Sequence, residues 1–223
     1  MIIDNCTFPD NLLYDIENFT WIDVSNKNSI KLGITPIMMS ISGKLLSVRI
    51  KEENQTVDRG KRIGSIESLK YFGILRSPIC GKIEKNNKKI IEQPKLVNDS
   101  PYEYGWFVKI NPSNLEEDIK YLKNIHDCNK IFHETIKNLG IRCFKFFPDH
   151  ELYEIGSECA ATLSKLDDLI PRIKIGEIIY LVSDDITADL ELERWSKERS
   201  QTIVDMRKEE NYFHFLIRKK NGN

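Results

Sequence analysis

The sequence predicts a chain of mixed class in two parts. A β-sandwich with a helical tail occupies residues 1–145, and a small two-layer α+β unit of order β-α-β-α-β-β occupies residues 150–220. Three observations carry this reading. Residues 12–110 hold short apolar, often β-branched runs parted by polar turns, the pattern of a sandwich or small barrel. At Asn111-Pro112-Ser113 the texture changes, and apolar residues then recur at helical spacing. Beyond Pro148-Asp149-His150, strand-like and helix-like segments alternate.

The elements follow in order. Trp21-Ile22-Asp23-Val24 and Leu45-Leu46-Ser47-Val48-Arg49-Ile50 read as strands, with polar turns at Asn26 to Ser29 and Glu52 to Gln55. Val57-Asp58-Arg59-Gly60 is a turn leading into a strand at Ile63. A faint internal echo, Gly43-Lys44-Leu45 against Gly81-Lys82-Ile83, frames a hairpin with Lys70 at its tip. Ser113 with Glu116 fits a capping box for a helix or helix pair running to Leu139 and ended by Gly140. Its apolar stripe is Leu115, Ile119, Leu122, Ile125, Cys128, Ile131, Phe132 and Ile136. Residues 141–147 look extended.

In the second part, Leu152 to Ile155 is a strand and Cys159 to Leu169 a helix with Leu163, Leu166 and Ile170 inward. Ile178-Ile179-Tyr180-Leu181-Val182 is a continuous apolar strand, buried on both faces. Thr187 to Arg199 is a helix with Leu190 and Trp195 as its core residues. Thr202 to Met206 and Tyr212 to Ile217 form a hairpin across Glu209-Glu210-Asn211.

Composition narrows the function. The 223 residues carry 33 basic and 34 acidic side chains, a formal charge of −1, with 40% hydrophobic and 30% charged residues. That balance offers no electrostatic case for nucleic acid or an anionic membrane surface. No apolar run approaches the ~18 residues a membrane helix needs. The start, Met1-Ile2-Ile3-Asp4-Asn5, lacks the basic and apolar regions of a signal peptide, so a cytoplasmic location is expected. The five cysteines, Cys6, Cys80, Cys128, Cys143 and Cys159, show no paired spacing. Reduced thiols are expected, with neither a zinc site nor a disulfide framework. His126 and His133 lack a third ligand. Asp149, Asp184 and Asp185 read as turn and cap residues. No acid/base constellation marks the chain as an enzyme.

Lys70 is the most informative residue. It follows Glu67-Ser68-Leu69 and precedes the turn Ser77-Pro78-Ile79-Cys80-Gly81. These stretches resemble the glycine cleavage H-protein family, whose lipoylation motif is Glu-Ser-Val-Lys and whose next turn is Ser-Pro-Val-Ser-Gly. Pro94-Lys95-Leu96-Val97-Asn98-Asp99-Ser100-Pro101-Tyr102 is similar to the family's Pro-Glu-Leu-Val-Asn-x-x-Pro-Tyr, and Gly105 to Ile110 continues the likeness. Gly33-Ile34-Thr35 and Gly43 to Ile50 match earlier strands. The resemblance covers about Leu12 to Ile125. It implies a lipoyl domain (a barrel-sandwich hybrid), covalent lipoate on Lys70 within the motif Glu67, Ser68 and Leu69, and a lipoate-attaching enzyme as partner. One departure stands out. Asn18-Phe19-Thr20-Trp21 has an aromatic where the family has the histidine of His-x-Trp.

Cys159 opens the first helix of the second part. A helix start presents unpaired N–H groups and partial positive charge, which favour thiolate; Glu158 beside it opposes this. Residues Glu151 to Lys220 resemble the small sulfur-carrier family called TusA, with Leu152 and Gly156 ahead of Cys159 and Gly176-Glu177 ahead of the central strand. Ala160 and Thr162 stand where that family has prolines. The resemblance implies a persulfide-carrying thiol. Together the two parts imply a non-catalytic carrier. Its cargo is sulfur, exchanged with a sulfurtransferase or a heterodisulfide-reductase-like complex, or aminomethyl, exchanged with glycine decarboxylase and aminomethyltransferase. An unlipoylated adaptor is the reading from a different class.

Overall fold

The computed structural model describes residues 1–220, and the chain forms two compact units, Met1–Cys143 and the part from Phe144 onward. The first unit opens with a hairpin of β1 (Ile2–Ile3) and β2 (Cys6–Thr7), turned by Asp4 and Asn5 at φ +46 and +65. Short side chains that bond to their own backbone tolerate that region best. Strands β3 (Leu13–Asp15), β4 (Thr20–Asp23) and β5 (Ile30–Ile34) follow, then helix α1 (Pro36–Ser42). This helix lies where only strands were expected. Its start has the usual chemistry: Thr35 Oγ1 accepts from Met38 N–H, and Pro36 sits at the first turn, where it gives up no bond.

Next come β6 (Ser47–Ile50), β7 (Thr56–Val57), β8 (Arg62–Glu67), β9 (Phe72–Arg76) and β10 (Gly81–Asn86). Two more short helices, α2 (Lys88–Glu92) and α3 (Leu96–Asp99), interrupt the strands before β11 (Val108–Pro112). The strands form a six-stranded sheet of order β3-β4-β5-β11-β10-β7 and a three-stranded sheet of order β6-β8-β9. Ile22, Leu32, Ile83 and Ile110 of the larger sheet and Val48, Ile63, Ile66 and Leu75 of the smaller are buried. Trp21 anchors the larger sheet. Its indole N–H donates to the Ile34 carbonyl at 3.0 Å, and its ring lies over Gly33, where a Cβ would sit 2.3 Å from a ring carbon.

Of the helix or helix pair expected from Ser113, the structure has the pair, without a side-chain cap from Ser113. A short α4 (Leu115–Asp118) and one 3₁₀ turn (Ile119–Tyr121) precede a break, and α5 (Ile125–Asn138) starts anew. Asn124, not Ser113, is the side-chain cap; its Oδ1 accepts from Asp127 N–H. The break has a cause. Lys123 exchanges both main-chain bonds with Tyr14 of β3, at 2.8 and 3.0 Å, and a helix running through Lys123 would lose them. From α5, Ile125, Cys128, Phe132 and Ile136 enter the core, while Ile131, expected inward, is 42% exposed. Phe132 meets Phe8 and Tyr14 with ring centroids 4.9 and 5.7 Å apart.

The expectation of reduced thiols also fails at one pair. Cys6 and Cys143 form a disulfide across 137 residues of sequence. Folding, and not local spacing, brings them together: Ile3, Cys6 and Phe8 share a core with the inner face of α5, against which Ile141 and Cys143 also pack. Cys128 remains a buried thiol, its pKa pushed up to about 11, first by burial.

Residues 141–147 form no strand; Phe144 and Phe146 instead pack on the sheet of the second unit. That unit runs β12 (His150–Glu154), α6 (Cys159–Leu169), β13 (Ile178–Ser183), α7 (Ala188–Glu198), β14 (Thr202–Glu209) and β15 (Tyr212–Arg218). The sheet order is β12-β13-β15-β14, with β12 and β13 parallel and the other pairs antiparallel. Ile179, Leu181, Phe215 and Ile217 pack with Leu166, Leu192 and Trp195 of the helices. On the opposite face Ile178, Tyr180, Val182 and Leu216 pack with Phe144 and Phe146, so β13 is buried throughout. Leu190, expected in the core, is 69% exposed; Leu192 takes the inward place.

The long loop closed by Cys6–Cys143 restricts the unfolded chain. Reducing it, or replacing Cys143 by Ser, is expected to lower unfolding stability by about 2–5 kcal/mol. Urea denaturation of the full chain with and without dithiothreitol measures this, and superimposable curves refute it.

Candidate functional site

Strands β8 and β9 pair in antiparallel register up to Glu67 opposite Phe72. Ser68 N–H then donates to the Tyr71 carbonyl at 2.9 Å, leaving Leu69 and Lys70 as the turn itself. Leu69 is 95% exposed and Lys70 is exposed beside it. The sequence thus places an amine at the outermost point of a hairpin whose strands fix its base.

Ser68 holds this turn. Its hydroxyl oxygen accepts from Lys70 N–H at 3.2 Å and donates to the Ser42 carbonyl at 2.6 Å. The first bond closes a local serine turn. The second ties the tip to the end of α1. Just beyond, Leu46 N–H donates to the Glu67 carbonyl at 2.8 Å. The segment Ser42–Leu46 is therefore stitched along the hairpin. Gly43, at φ +73, has no side chain where one would stand 2.7 Å from Lys70 Cε. The lysine stem lies against this bare backbone.

Asn98 of α3, 5% exposed, holds the same segment from the other side. Its Nδ2 donates to the Gly43 carbonyl and its Oδ1 accepts from Leu45 N–H, both at 3.0 Å. A buried amide satisfied at both ends is a rigid clip. Of the residues expected around Lys70, Ser68 builds the turn, whereas Glu67 and Leu69 stand exposed beside it. Ser42, Gly43 and Asn98 were not expected as site residues. The signals existed: Gly43 opened the faint internal echo, and Asn98 belongs to the Leu-Val-Asn stretch.

The following turn is a structural knot. Ser77 Oγ donates to the Ile79 carbonyl at 2.6 Å. Buried Asp118 accepts from Cys80 N–H at 2.6 Å and lies 3.4 Å from the Arg59 guanidinium, which stacks 3.4 Å over the Tyr121 ring.

Cys159 is the first residue of α6, as expected, but its surroundings oppose thiolate formation. Its own N–H donates to Asp185 Oδ2 at 2.8 Å, so a carboxylate caps the helix start. Burial pushes the thiol pKa up, and the negative charges of Asp185 and Glu191 add to this. Asp185 itself is held below the usual carboxylate range, first by the Thr187 N–H and then by the Thr187 hydroxyl. Asp184 accepts from Gly156 N–H at 2.8 Å. The acidic pair therefore works in capping and loop bonding. Among the described residues no group of three or more His, Cys, Asp or Glu could hold a metal.

Comparison with known proteins bears on the first unit. The model of the glycine cleavage H-protein family matches residues 12–135. Glycine cleavage system H protein 2 of Aquifex aeolicus is 34% identical over 138 residues, covering 62% of this chain and 86% of that protein. A probable glycine cleavage system H protein 2 of Sulfurisphaera tokodaii is 39% identical over 117 residues, covering 52% and 79%. A crystal structure of a glycine cleavage system H protein from Mycobacterium marinum superposes with a TM-score of 0.50 at 24% identity, covering 60% of this chain and 99% of that one, a likeness of fold. By its motifs, its first-unit architecture and the match over more than half its length, this chain belongs to the glycine cleavage H-protein family.

Proposed function

We propose that this protein is a lipoyl carrier with lipoate in amide linkage to Lys70. The observation that carries the reading is an exposed lysine at the outermost position of a rigidly tied hairpin in a chain of this family. An attaching enzyme can reach the amine there, and amide formation removes its charge. The dithiolane ring cannot relax to the ~90° C–S–S–C dihedral of open disulfides, so it opens readily to thiolates and carbanions. The chemistry then rides on the arm, and the polypeptide acts as a non-catalytic subunit. A lipoate-attaching enzyme is the first partner.

Family membership supports aminomethyl as cargo, passed between a glycine decarboxylase and an aminomethyltransferase. Two observations favour a second reading, sulfur transfer. Phe19 occupies the position of the family's histidine and packs against the core of the first unit, so no imidazole is offered there. The second unit has the β-α-β-α-β-β order with Cys159 at a helix start. In that reading a dihydrolipoyl thiolate takes the outer sulfur of a persulfide donor, such as a sulfurtransferase or a heterodisulfide-reductase-like complex, and the donor leaves as a thiolate. Two carriers on one chain raise each other's effective concentration. The cytoplasm is the proposed location. No described helix is long and apolar enough to cross a membrane, and Cys6 of the disulfide is fully buried.

Intact-protein mass from cells with a working lipoate pathway is expected to show one added lipoyl group, mapped to Lys70 by peptide sequencing. An unmodified lysine replaces the carrier reading with that of an adaptor. Offering the lipoylated chain glycine with its decarboxylase, and separately a persulfide donor, then reads the cargo from the mass of the arm.

The electrostatics of Cys159 give a further expectation. Its raised pKa leaves less thiolate than a free cysteine at the same pH, so iodoacetamide reacts slowly. Glu191→Gln removes a negative charge, lowers the pKa and shifts the alkylation profile to lower pH. A profile unmoved by this change sinks the electrostatic account.

A further inference from the structure

We infer that Asn98 is a positioning residue for modification of Lys70, acting through the main chain at Gly43; the inference rests on Lys70 being the lipoyl lysine. Asn98 lies in α3, 55 residues along the chain from Gly43, in a stretch with no other role in the site. Its side chain makes two bonds, and they fall on either side of Lys44: donation to the Gly43 carbonyl and acceptance from Leu45 N–H. A paired strand makes bonds of this kind, but among the described residues no strand pairs with Gly43–Leu45 on that side, and one buried amide does the work instead.

The fixed backbone is the surface on which the lysine lies. Lys70 Cε comes so near Gly43 that a methyl group there would stand 2.7 Å from it. The neighbouring carbonyl, Ser42, receives the Ser68 hydroxyl, and Ser68 in turn holds Lys70 N–H. Stem and backbone of the lysine are thus both referred to Ser42–Leu45. An exposed lysine is ordinarily free in its rotamers, and ordering it has an entropic cost. A bare, immobile glycine beside the stem restricts the directions in which the amine leaves the fold. Without the clip, Gly43 can turn its peptide, because glycine has access to both signs of φ. The seat under the lysine then loses its definition while the hairpin remains.

In the reaction itself the Lys70 amine attacks the carbonyl carbon of lipoyl-adenylate, formed from lipoate and ATP. A C–N bond forms, the C–O bond to AMP breaks, and the amine loses a proton. Misplacing an attacking atom by about 1 Å lowers such a step by up to roughly a hundredfold. Asn98 touches neither the amine nor the adenylate, so its effect falls on kcat and leaves the contacts that set KM in place.

The test uses the full chain with a bacterial lipoate–protein ligase, lipoate and ATP, and follows acylation of Lys70 by mass spectrometry at varied carrier concentration. Asn98→Ala is expected to lower kcat about ten- to a hundredfold with KM nearly unchanged, and to speed hydrogen exchange at the Leu45 amide. Asn98→Asp has nearly the same shape and keeps the Leu45 bond, but its carboxylate sets an oxygen against the Gly43 carbonyl in place of the donor; its kcat falls as well. Ser68→Ala lowers kcat, and Ser68→Thr restores it. Thermal melting identifies any variant that does not fold, and the remaining folded variants then decide. Wild-type kcat in a folded Asn98 variant, or a rise in KM alone, overturns the inference. Failure of the wild-type chain to be acylated overturns instead the lipoyl reading on which it stands.

Discussion

The hydrogen bond from the Ser68 hydroxyl to the Ser42 carbonyl is the interaction on which the presentation of Lys70 depends. A lysine proposed as the attachment point of a carrier arm meets two opposed demands. It has to stand clear of the fold, which removes the packing that usually fixes a side chain. It also has to be found at a defined place, which requires that something fix it. The chain resolves this by fixing the backbone on both sides of the amine and leaving the outer face open. Leu69 and Lys70 form the turn, the paired strands hold its feet, and a serine spans from the turn to the end of a helix. Both elements so joined have buried members, Ile66 and Leu75 in the strands and Ile37 and Met39 in the helix, so the tip inherits the rigidity of a core it does not enter.

How much of this could be read from the residues depended on sequence distance. The Lys70 hairpin was legible because its determinants are local: alternating strands and a short turn containing Ser68. The order of elements in the second unit was legible for the same reason, and β13 was recognisable from its unbroken apolar run. Helix α1 escaped notice although Thr35-Pro36 is a good helix start, because short apolar runs such as Ile37-Met38-Met39 fit helix and strand equally well. The break at Leu122 was invisible because its cause, pairing with Tyr14, lies at the other end of the unit. The link of Asn98 to Gly43 and that of Cys6 to Cys143 were hidden in the same way. Such contacts exist only once the chain has closed on itself.

At Cys159 position and surroundings act in opposite directions. A helix start favours an anion, and a cysteine there reads as a reactive thiolate. In this unit Asp185 already satisfies the N–H of Cys159, and its negative charge sits in the place where a thiolate would seek stabilisation. A carboxylate thus shares the helix end with the sulfur and offsets what the helix start offers it. Burial makes the thiol less acidic, and Asp185, which also holds the loop at Thr187, and Glu191 add to this.

The disulfide has a topological consequence. Cys143 is the last residue of the first unit and Cys6 lies near its beginning, so the covalent path runs round almost the whole unit and closes. A single peptide cleavage at any point between these two cysteines opens the ring without separating it into fragments. Both pieces, the one bearing Lys70 included, stay attached to whatever follows Cys143 until a reductant reaches a bridge whose Cys6 end is sealed from solvent.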